Sequence, residues 1–229
     1  NLLDLPEKDM RRIRGKSIGM VFQEPMTSLN PVMSIGDQIG EVLKIHTTLS
    51  DRDIRKDVIG LLERVRISAP ESRIDQYPHE MSGGMKQRVM IAMALACNPD
   101  LLIADEPTTA LDVTIQAQIL DLLAALQKDM GMAILLITHN LGVVAQFSQD
   151  VIVMYASKIA ERAPVKELFH NPSHPYTSAL LKSLPRPGER QARLEAIPGT
   201  VPSPLQYPTG CHFSSRCPEV MEHCPLQPP

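Results

Sequence analysis

Two neighbouring carboxylates follow a short apolar run in the middle of the chain. The run is Leu101–Ala104, the acids are Asp105 and Glu106, and Pro107 then removes the next backbone donor. A continuous apolar run without alternation predicts a parallel strand covered on both faces, and ligands bind at the carboxyl ends of such strands. One carboxylate there can hold Mg²⁺, which prefers oxygen ligands, and the next can activate an attacking water molecule. The pair therefore indicates metal-assisted hydrolysis of a phosphate compound.

A glycine pair before a predicted helix offers a phosphate site upstream of these acids. Ser82 is a good N-cap, and the run Met85–Ala96 is rich in helix formers. Gly83 and Gly84 let backbone N–H groups approach an anion with no Cβ in the way. The start of the helix adds about half an elementary positive charge. Many loops carry Ser-Gly-Gly before a helix, so the signal becomes specific only through the strand and the acids that follow it.

Two more predicted strands end in polar residues. Ile18–Phe22 is followed by Gln23, and Ala133–Ile137 is followed by Thr138 and His139. Between the acids and the last of these strands, Val113–Asp129 carries one apolar stripe that is typical of an amphipathic helix. A Gln or a His at a strand end is often only a polar cap, so the surrounding motifs decide its meaning.

Taken together, these motifs resemble an ATP-binding cassette (ABC) ATPase. SGGMKQR is similar to the signature motif, LLIADEPTT to the Walker B motif, and ALD to the D-loop. The resemblance covers nearly all of the chain. It implies an α/β fold with a P-loop NTPase-like (RecA-like) core and parallel sheet, a helical subdomain and a Pro-rich irregular C-terminal extension. The implied division is residues 1–30 and 97–168 for the core, 31–96 for the helical subdomain with the signature, and 169–229 for the extension.

The resemblance also implies a role for each matched residue. Glu106 would be the general base, and His139 would be the switch histidine that contacts the γ-phosphate. Asp105 and Gln23 would hold Mg²⁺ beside the attacking water. In this family the signature of one subunit closes on ATP held by another. Within the signature of this chain, Met85 stands where the general pattern has Gln. The implied nucleotide-binding residues are Gln23, Ser82, Gly83, Gly84, Met85 and the dimer-interface residue Asp112.

The Walker A loop of the family is absent from this sequence. Gly15-Lys16-Ser17 ends like a phosphate-binding loop, but Met10 stands where that loop needs glycine, and a strand follows in place of a helix. We interpret this tripeptide as a decoy. The family carries Walker A upstream of the matched region, so we expect a fragment that lacks it and is inactive alone. The alternative is a natural protein that never had the loop.

The loop after Gln23 narrows the class of transporter. FQEPMTSLNP resembles the same loop in the ATPases of dipeptide, oligopeptide and nickel importers. The segment from His174 resembles their C-terminal extension. The composition changes there too, since 13 of the 20 prolines lie from Pro164 onward. The implied function is ATP-driven import of dipeptides or oligopeptides, with nickel import as the alternative. The implied partners are a second homologous ATPase subunit, two membrane-spanning permease subunits and, indirectly, an extracytoplasmic solute-binding protein. The implied location is the cytoplasmic face of the inner membrane.

Three cysteines near the C-terminus form a spaced group: Cys211, Cys217 and Cys224. Thiols spaced in this way suggest metal ligation more than disulfides. The resemblance implies an iron–sulfur cluster, which normally takes four thiolates, so the fourth ligand would lie outside the chain. A zinc site completed by His212 or His223 is the competing hypothesis, and three unligated thiols are a third. Cys97 lies apart and is interpreted as a small buried residue.

Composition limits the remaining alternatives. The formal charge of −3 gives no general reason to expect a nucleic acid partner. Apolar stretches such as Val89–Cys97 fall short of the roughly 20 residues that span a bilayer. A soluble ABC ATPase of DNA repair or translation would carry coiled-coil or basic insertions, and none is visible. A non-catalytic binding module is disfavoured because Glu106 and His139 are both in place.

Overall fold

The computed structural model describes residues 1–24, 28–109, 111–184 and 196–227. Some residues used above lie outside these ranges: residues 25–27 of the loop after Gln23, Ala110 of the D-loop match, residues 185–195 of the Pro-rich segment, and residues 228–229. The chain divides into two compact units, Asn1–His139 and Asn140–Pro229.

A three-stranded parallel sheet organises the first unit. Its strands are β1 (Ile18–Val21), β2 (Leu101–Asp105) and β3 (Ala133–Ile137), in the order β1-β2-β3. All three predicted strands are confirmed to within one residue at each end. The register pairs Val21 with Ala104, and Ala104 with Leu136. Because the strands are parallel, the residues that follow them meet at one edge of the sheet.

The helices of the first unit begin where the sequence supplies N-caps. They are α1 (Glu7–Ile13), α2 (Ile35–His46), α3 (Asp51–Arg64), α4 (Pro70–Arg73), α5 (Gly83–Leu95) and α6 (Val113–Met130), with short 3₁₀ turns at Leu2–Asp4 and Pro78–Glu80. Side-chain oxygens of Ser34, Ser50, Ser82 and Asp112 each accept a backbone N–H of the first helical turn. Gly131 ends α6 in the left-handed conformation (φ 67°). The predicted start at Ser82 is confirmed.

Helix α5 lies directly on β1. A methyl group built on Gly19 would stand 2.2 Å from the carbonyl oxygen of Ala94, so only a glycine allows this approach. The connection after α5 also returns to β1, because the N–H groups of Asp100 and Leu101 both donate to the carbonyl of Ser17. These contacts fix the signature helix relative to the strands that carry the candidate site.

The prediction that the strands are covered on both faces is wrong for the described residues. On one face Leu102 and Ala104 are 0% exposed. On the other, Met20, Leu135 and Ile137 are between 39% and 47% exposed. Successive strand residues point to opposite faces, so burial of the first set leaves the second set on the uncovered side.

The second unit is built on an antiparallel hairpin. Strand β4 (Asp150–Tyr155) pairs with β5 (Lys158–Pro164), and the helices are α7 (Leu141–Phe147), α8 (Val165–His170) and α9 (Pro175–Lys182). The turn residues Ala156 and Ser157 both have positive φ, 46° and 66°, as a two-residue hairpin turn of type I′ requires. Short 3₁₀ turns follow at Pro204–Gln206 and Ser214–Arg216. The core consists of Val144, Val151, Val153 and Leu168.

The C-terminal segment is more ordered than the expected irregular extension. Helix α9 accommodates Pro175 in its first turn, where a missing N–H costs nothing. The carboxylate of Glu161 on β5 accepts the backbone N–H groups of Ser173 (2.8 Å) and His174 (3.0 Å) just before that helix. Arg216 donates to the carbonyls of Ile197 and Pro198 and to the Tyr155 hydroxyl.

Within the described ranges, no helix has both the length and the apolar character needed to cross a membrane.

Candidate active site

Residues that follow the three parallel strands meet around one carboxylate, that of Glu106. His139 Nδ1 lies 2.7 Å from Glu106 Oε1, and Gln23 Nε2 donates to Oε2 at 3.3 Å. An ionised carboxylate only accepts, so Nδ1 of His139 carries the proton and donates it. The imidazole is 79% exposed, which leaves its Nε2 side open to a ligand. The structure therefore brings together Gln23, Glu106 and His139, which stand far apart in sequence.

A fourth residue of this cluster, Thr109, was not assigned a role from the sequence. Its hydroxyl donates to Glu106 Oε2 at 2.6 Å, and its backbone N–H donates to the Glu106 carbonyl at 3.1 Å. The signal was present, because a Thr three residues after the acid in a turn can reach back to it. Thr109 holds the carboxylate in place from within the same turn.

These donors hold the pKa of Glu106 below its ordinary value. The largest cause is the Thr109 hydroxyl, followed by the hydrogen bond from His139, while partial burial acts in the opposite direction. The carboxylate is therefore ionised at neutral pH, as a general base must be. Its side chain is 20% exposed, so water can still reach it.

Replacing Thr109 with Val should move the acidic limb of the pH–activity profile to higher pH. The change removes the strongest contact that favours the ionised form, so the pKa of Glu106 rises and the base is protonated at a higher pH than before. The measurement is the rate of ATP hydrolysis by the assembled transporter from about pH 5 to about pH 8. Thr108→Val, a change of the neighbouring threonine, is the control. Superimposable acidic limbs for the two variants would contradict the prediction.

The backbone at Glu106 is strained. Its φ is 44°, in the left-handed region that a non-glycine residue seldom adopts, and its N–H donates to the Ile137 carbonyl at 2.9 Å. Such conformations persist only where the surrounding structure enforces them, and they cluster at functional sites. Here two backbone hydrogen bonds hold Glu106 in this conformation, one to Ile137 at the end of β3 and one from Thr109 in the following turn.

Asp105 is the last residue of β2, opposite Ile137, and it is half-buried. Mg²⁺ in nucleotide sites usually takes one or two carboxylates and fills its other positions with phosphate oxygens and water. Asp105 and the side-chain amide oxygen of Gln23 therefore fit as the protein's share of such a site. Both are hard oxygen donors, and the Gln23 amide also contacts the Glu106 carboxylate.

The signature residues belong to the starts of two helices. Ser82 Oγ accepts the Met85 N–H at the start of α5 (3.4 Å), and Asp112 Oδ1 accepts the Ile115 N–H at the start of α6 (3.0 Å). Ser82, Gly83 and Asp112 are exposed. None of the described hydrogen bonds of Glu106 comes from these residues. Their outward N-termini are suited to an anion that another molecule presents.

The three C-terminal thiols do not form a metal site in the part of the chain that the structure describes. No three His, Cys, Asp or Glu side chains there are grouped so that they could hold a metal ion. The neighbour of Cys211 Sγ is His174 Nε2, at 3.9 Å. His174 Nδ1 accepts the Tyr176 N–H, and burial lowers the pKa of His174, so Nε2 carries the proton and faces the sulfur as a donor. A histidine that binds a metal through Nε2 has no proton on that nitrogen.

The competing zinc site is no better supported. His212 is buried, its ring packs against Tyr207, and its Nδ1 donates to the Ala156 carbonyl at 2.6 Å. Burial raises the pKa of the Cys217 thiol, and the nearby Cys211 and Cys224 add to the effect. With no group of three metal-binding side chains among the described residues, neither the predicted iron–sulfur cluster nor the zinc alternative has support. Cys97, which stands apart, is half-buried, and burial raises the pKa of its thiol.

Two family models match separate parts of the chain. The model of the ABC transporter family matches residues 3–109, which include the Gln23 loop, the signature and the Glu106 region. The model of the oligopeptide/dipeptide transporter C-terminal region matches residues 160–224, which include all three C-terminal cysteines.

Similar proteins of known name and structure agree with these matches. A putative peptide import ATP-binding protein of Brucella ovis is 59% identical over 230 residues, which cover 98% of this chain and 68% of that protein. The dipeptide transport ATP-binding protein DppD of Bacillus subtilis is 53% identical, covering 98% and 67%. Among solved structures, the dimeric post-hydrolysis state of the ATP-binding cassette MJ0796 with ADP and Pi has a TM-score of 0.62 and 29% identity, covering 71% of this chain and 68% of that one.

Proposed function

The chain belongs to the ABC transporter family, in its group of peptide-import ATP-binding proteins, and from this we propose that Glu106 is the base that hydrolyses ATP to drive uptake of dipeptides or oligopeptides. The observation that carries the proposal is the Glu106 carboxylate, ionised and held by Gln23, Thr109 and His139 at the ends of parallel strands. ATPases of this family are ATP-hydrolysing subunits of transporters, and a peptide import ATPase implies dimerisation and membrane permease partners.

The chain's own residues divide the chemistry between them. Glu106 accepts a proton from the attacking water, and its fixed position saves the entropy of orienting that group. His139 holds the carboxylate through Nδ1 and offers Nε2 to the γ-phosphate. Mg²⁺ held by Asp105 and Gln23 supplies charge neutralisation to the triphosphate when bound.

The second half of each site comes from a partner subunit. The N-terminal amides of α5, after Ser82, and the side chain of Asp112 face outward. We assign Gly83, Gly84 and Met85 backbone contacts with the partner's nucleotide, which would take the Met85 N–H from its 3.4 Å bond to Ser82 Oγ, because amides depend on the helix start and not on the side chain at position 85. The partner is a second, homologous ATPase subunit, and ATP between the two closes the dimer. Hydrolysis then reopens it.

The finer assignments follow from the same family membership. We place residues 1–30 and 97–168 in the ATPase core, 31–96 in a helical subdomain that contacts two permease subunits, and 169–229 in a C-terminal extension. The subunit would lie peripherally at the cytoplasmic face of the membrane, and a solute-binding protein would act on it indirectly. An iron–sulfur cluster has no support among the described residues.

The test is ATP hydrolysis by the transporter reconstituted in vesicles with its permease subunits. A binding protein loaded with peptide should raise the rate, and the unloaded protein should not. Stimulation by a nickel-loaded binding protein in place of the peptide-loaded one would favour the nickel alternative. Stimulation by DNA or ribosomes, without any response to the permeases, would overturn transport as the function.

A further inference from the structure

The start of α5 touches the segment that leads from the D-loop into α6, and each contact joins the signature to that segment. A methyl group built on Gly83 would lie 3.7 Å from Leu111 Cδ2, and one built on Gly84 would lie 3.0 Å from Ile115 Cγ2. One turn further along α5, Arg88 Nη2 donates to Gln118 Oε1 at 3.3 Å. Position 84 has little room for a side chain, because the added methyl group would lie closer to Ile115 than the ordinary van der Waals separation.

These contacts lie at the starts of the two helices. Positions 83, 84 and 88 of α5 meet Leu111, which precedes α6, and positions 115 and 118 in the first two turns of α6. Gly83 follows the N-cap Ser82 and Leu111 precedes the N-cap Asp112, so the two N-caps lie close to one another.

Arg88 ties this pair of helices to a third. Its Nη1 donates to the Val65 carbonyl at 2.9 Å, at the C-terminal end of α3. The guanidinium is half-buried and holds two acceptors from different helices with its rigid fork. A movement of the signature helix is therefore passed to α6 through Arg88 as well as through Gly84.

We propose that Arg88, Ile115 and Gln118 are positioning residues that hold the signature and Asp112 as one rigid unit, so that both reach the partner's nucleotide together. The proposal rests on the function assigned above to Ser82 and Asp112. It gives Gly84 a second role beyond access to phosphate, because its missing Cβ is what allows Ile115 to pack against α5. Closure of the dimer then delivers two groups of contacts in a single step.

The first test separates packing from phosphate access. Gly84→Ala should lower the ATPase rate of the reconstituted transporter about tenfold or more, because the new methyl group displaces α6. Adding Ile115→Ala removes the Cγ2 atom in its way and should restore most of the rate. If the double variant is as slow as Gly84→Ala, the loss comes from the nucleotide side and the proposal is overturned.

The second test measures closure in variants that fold normally. Gln118 is exposed, so Gln118→Leu should leave the thermal midpoint unchanged while removing the hydrogen bond to Arg88. In a Glu106→Gln background, we expect about fivefold more ATP for half-maximal dimer closure. Gln118→Glu keeps an acceptor for Arg88 and should restore the original requirement. Gln127→Leu, the same change two turns further along α6, is the control.

The outcomes distinguish this proposal from the one on which it rests. Equal ATP requirements for Gln118→Leu and Gln127→Leu, with Glu106→Gln blocking hydrolysis as expected, would overturn the positioning role alone. Unchanged ATPase in the Glu106→Gln transporter would overturn the proposed function, and the positioning role with it.

Discussion

Replacing Glu106 with Gln should lower ATP hydrolysis by the assembled transporter about 1,000-fold, within the range of about 10²–10⁴ that general bases contribute. Glutamine keeps the size of the side chain and can still accept from Thr109, but its amide cannot take a proton from water. Binding of ATP should persist because the carboxylate is not needed to hold the triphosphate. The ATP-bound closed dimer should therefore accumulate, as measured by size-exclusion chromatography with ATP.

A matched substitution away from the site controls for the loss of one negative charge. Glu63 is exposed near the end of α3, and Glu63→Gln should leave the rate unchanged. If Glu106→Gln and Glu63→Gln hydrolyse ATP at similar rates, Glu106 is not the base.

Replacing Gly19 with Ala should destabilise the chain by about 3 kcal/mol, the upper end of what overpacking a well-packed core costs. The added methyl group would stand 2.2 Å from the Ala94 carbonyl oxygen, and a backbone atom cannot turn aside as a flexible side chain does. Either β1 or α5 must then shift, and both carry parts of the site. Urea unfolding gives the change in the free energy of unfolding.

The same substitution at Gly60 provides the control. Gly60 lies inside α3 with no atom within 4 Å of an added methyl group, so alanine there should stabilise by up to about 1 kcal/mol through helix propensity. If the free energy of unfolding of Gly19→Ala is no lower than that of Gly60→Ala, the close packing of α5 on β1 is contradicted.

Elements with a strong local signal were predictable from the sequence. Strands β2 and β3 contain apolar runs of four and five residues, α5 begins after a serine cap, and α6 ends at a glycine. Each of these depends on residue types that favour one local structure. The common site of Gln23, Glu106 and His139 was implied only by the resemblance of their motifs to the ABC ATPases.

Elements without a local signal were missed. Strand β5 reads KIAERAP, whose charges hide its alternation, and its turn uses Ala156 and Ser157 at positive φ where Asn-Gly would be the usual sign. The uncovered face of the sheet was missed because an apolar run does not reveal what packs against it. The contact between Arg88 and Gln118 joins residues 30 positions apart, and no local pattern predicts such a pair.

The hydrogen bond from His139 to Glu106 has a consequence for biosynthesis. It spans 33 residues and two strands, and a slip of one residue in the β2–β3 pairing would turn the participating side chains to opposite faces. During translation, Glu106 is added to the chain 33 residues before the histidine that orients it. A nascent chain should therefore lack hydrolytic competence until the third strand has docked in register, which couples the onset of nucleotide consumption to completion of the sheet.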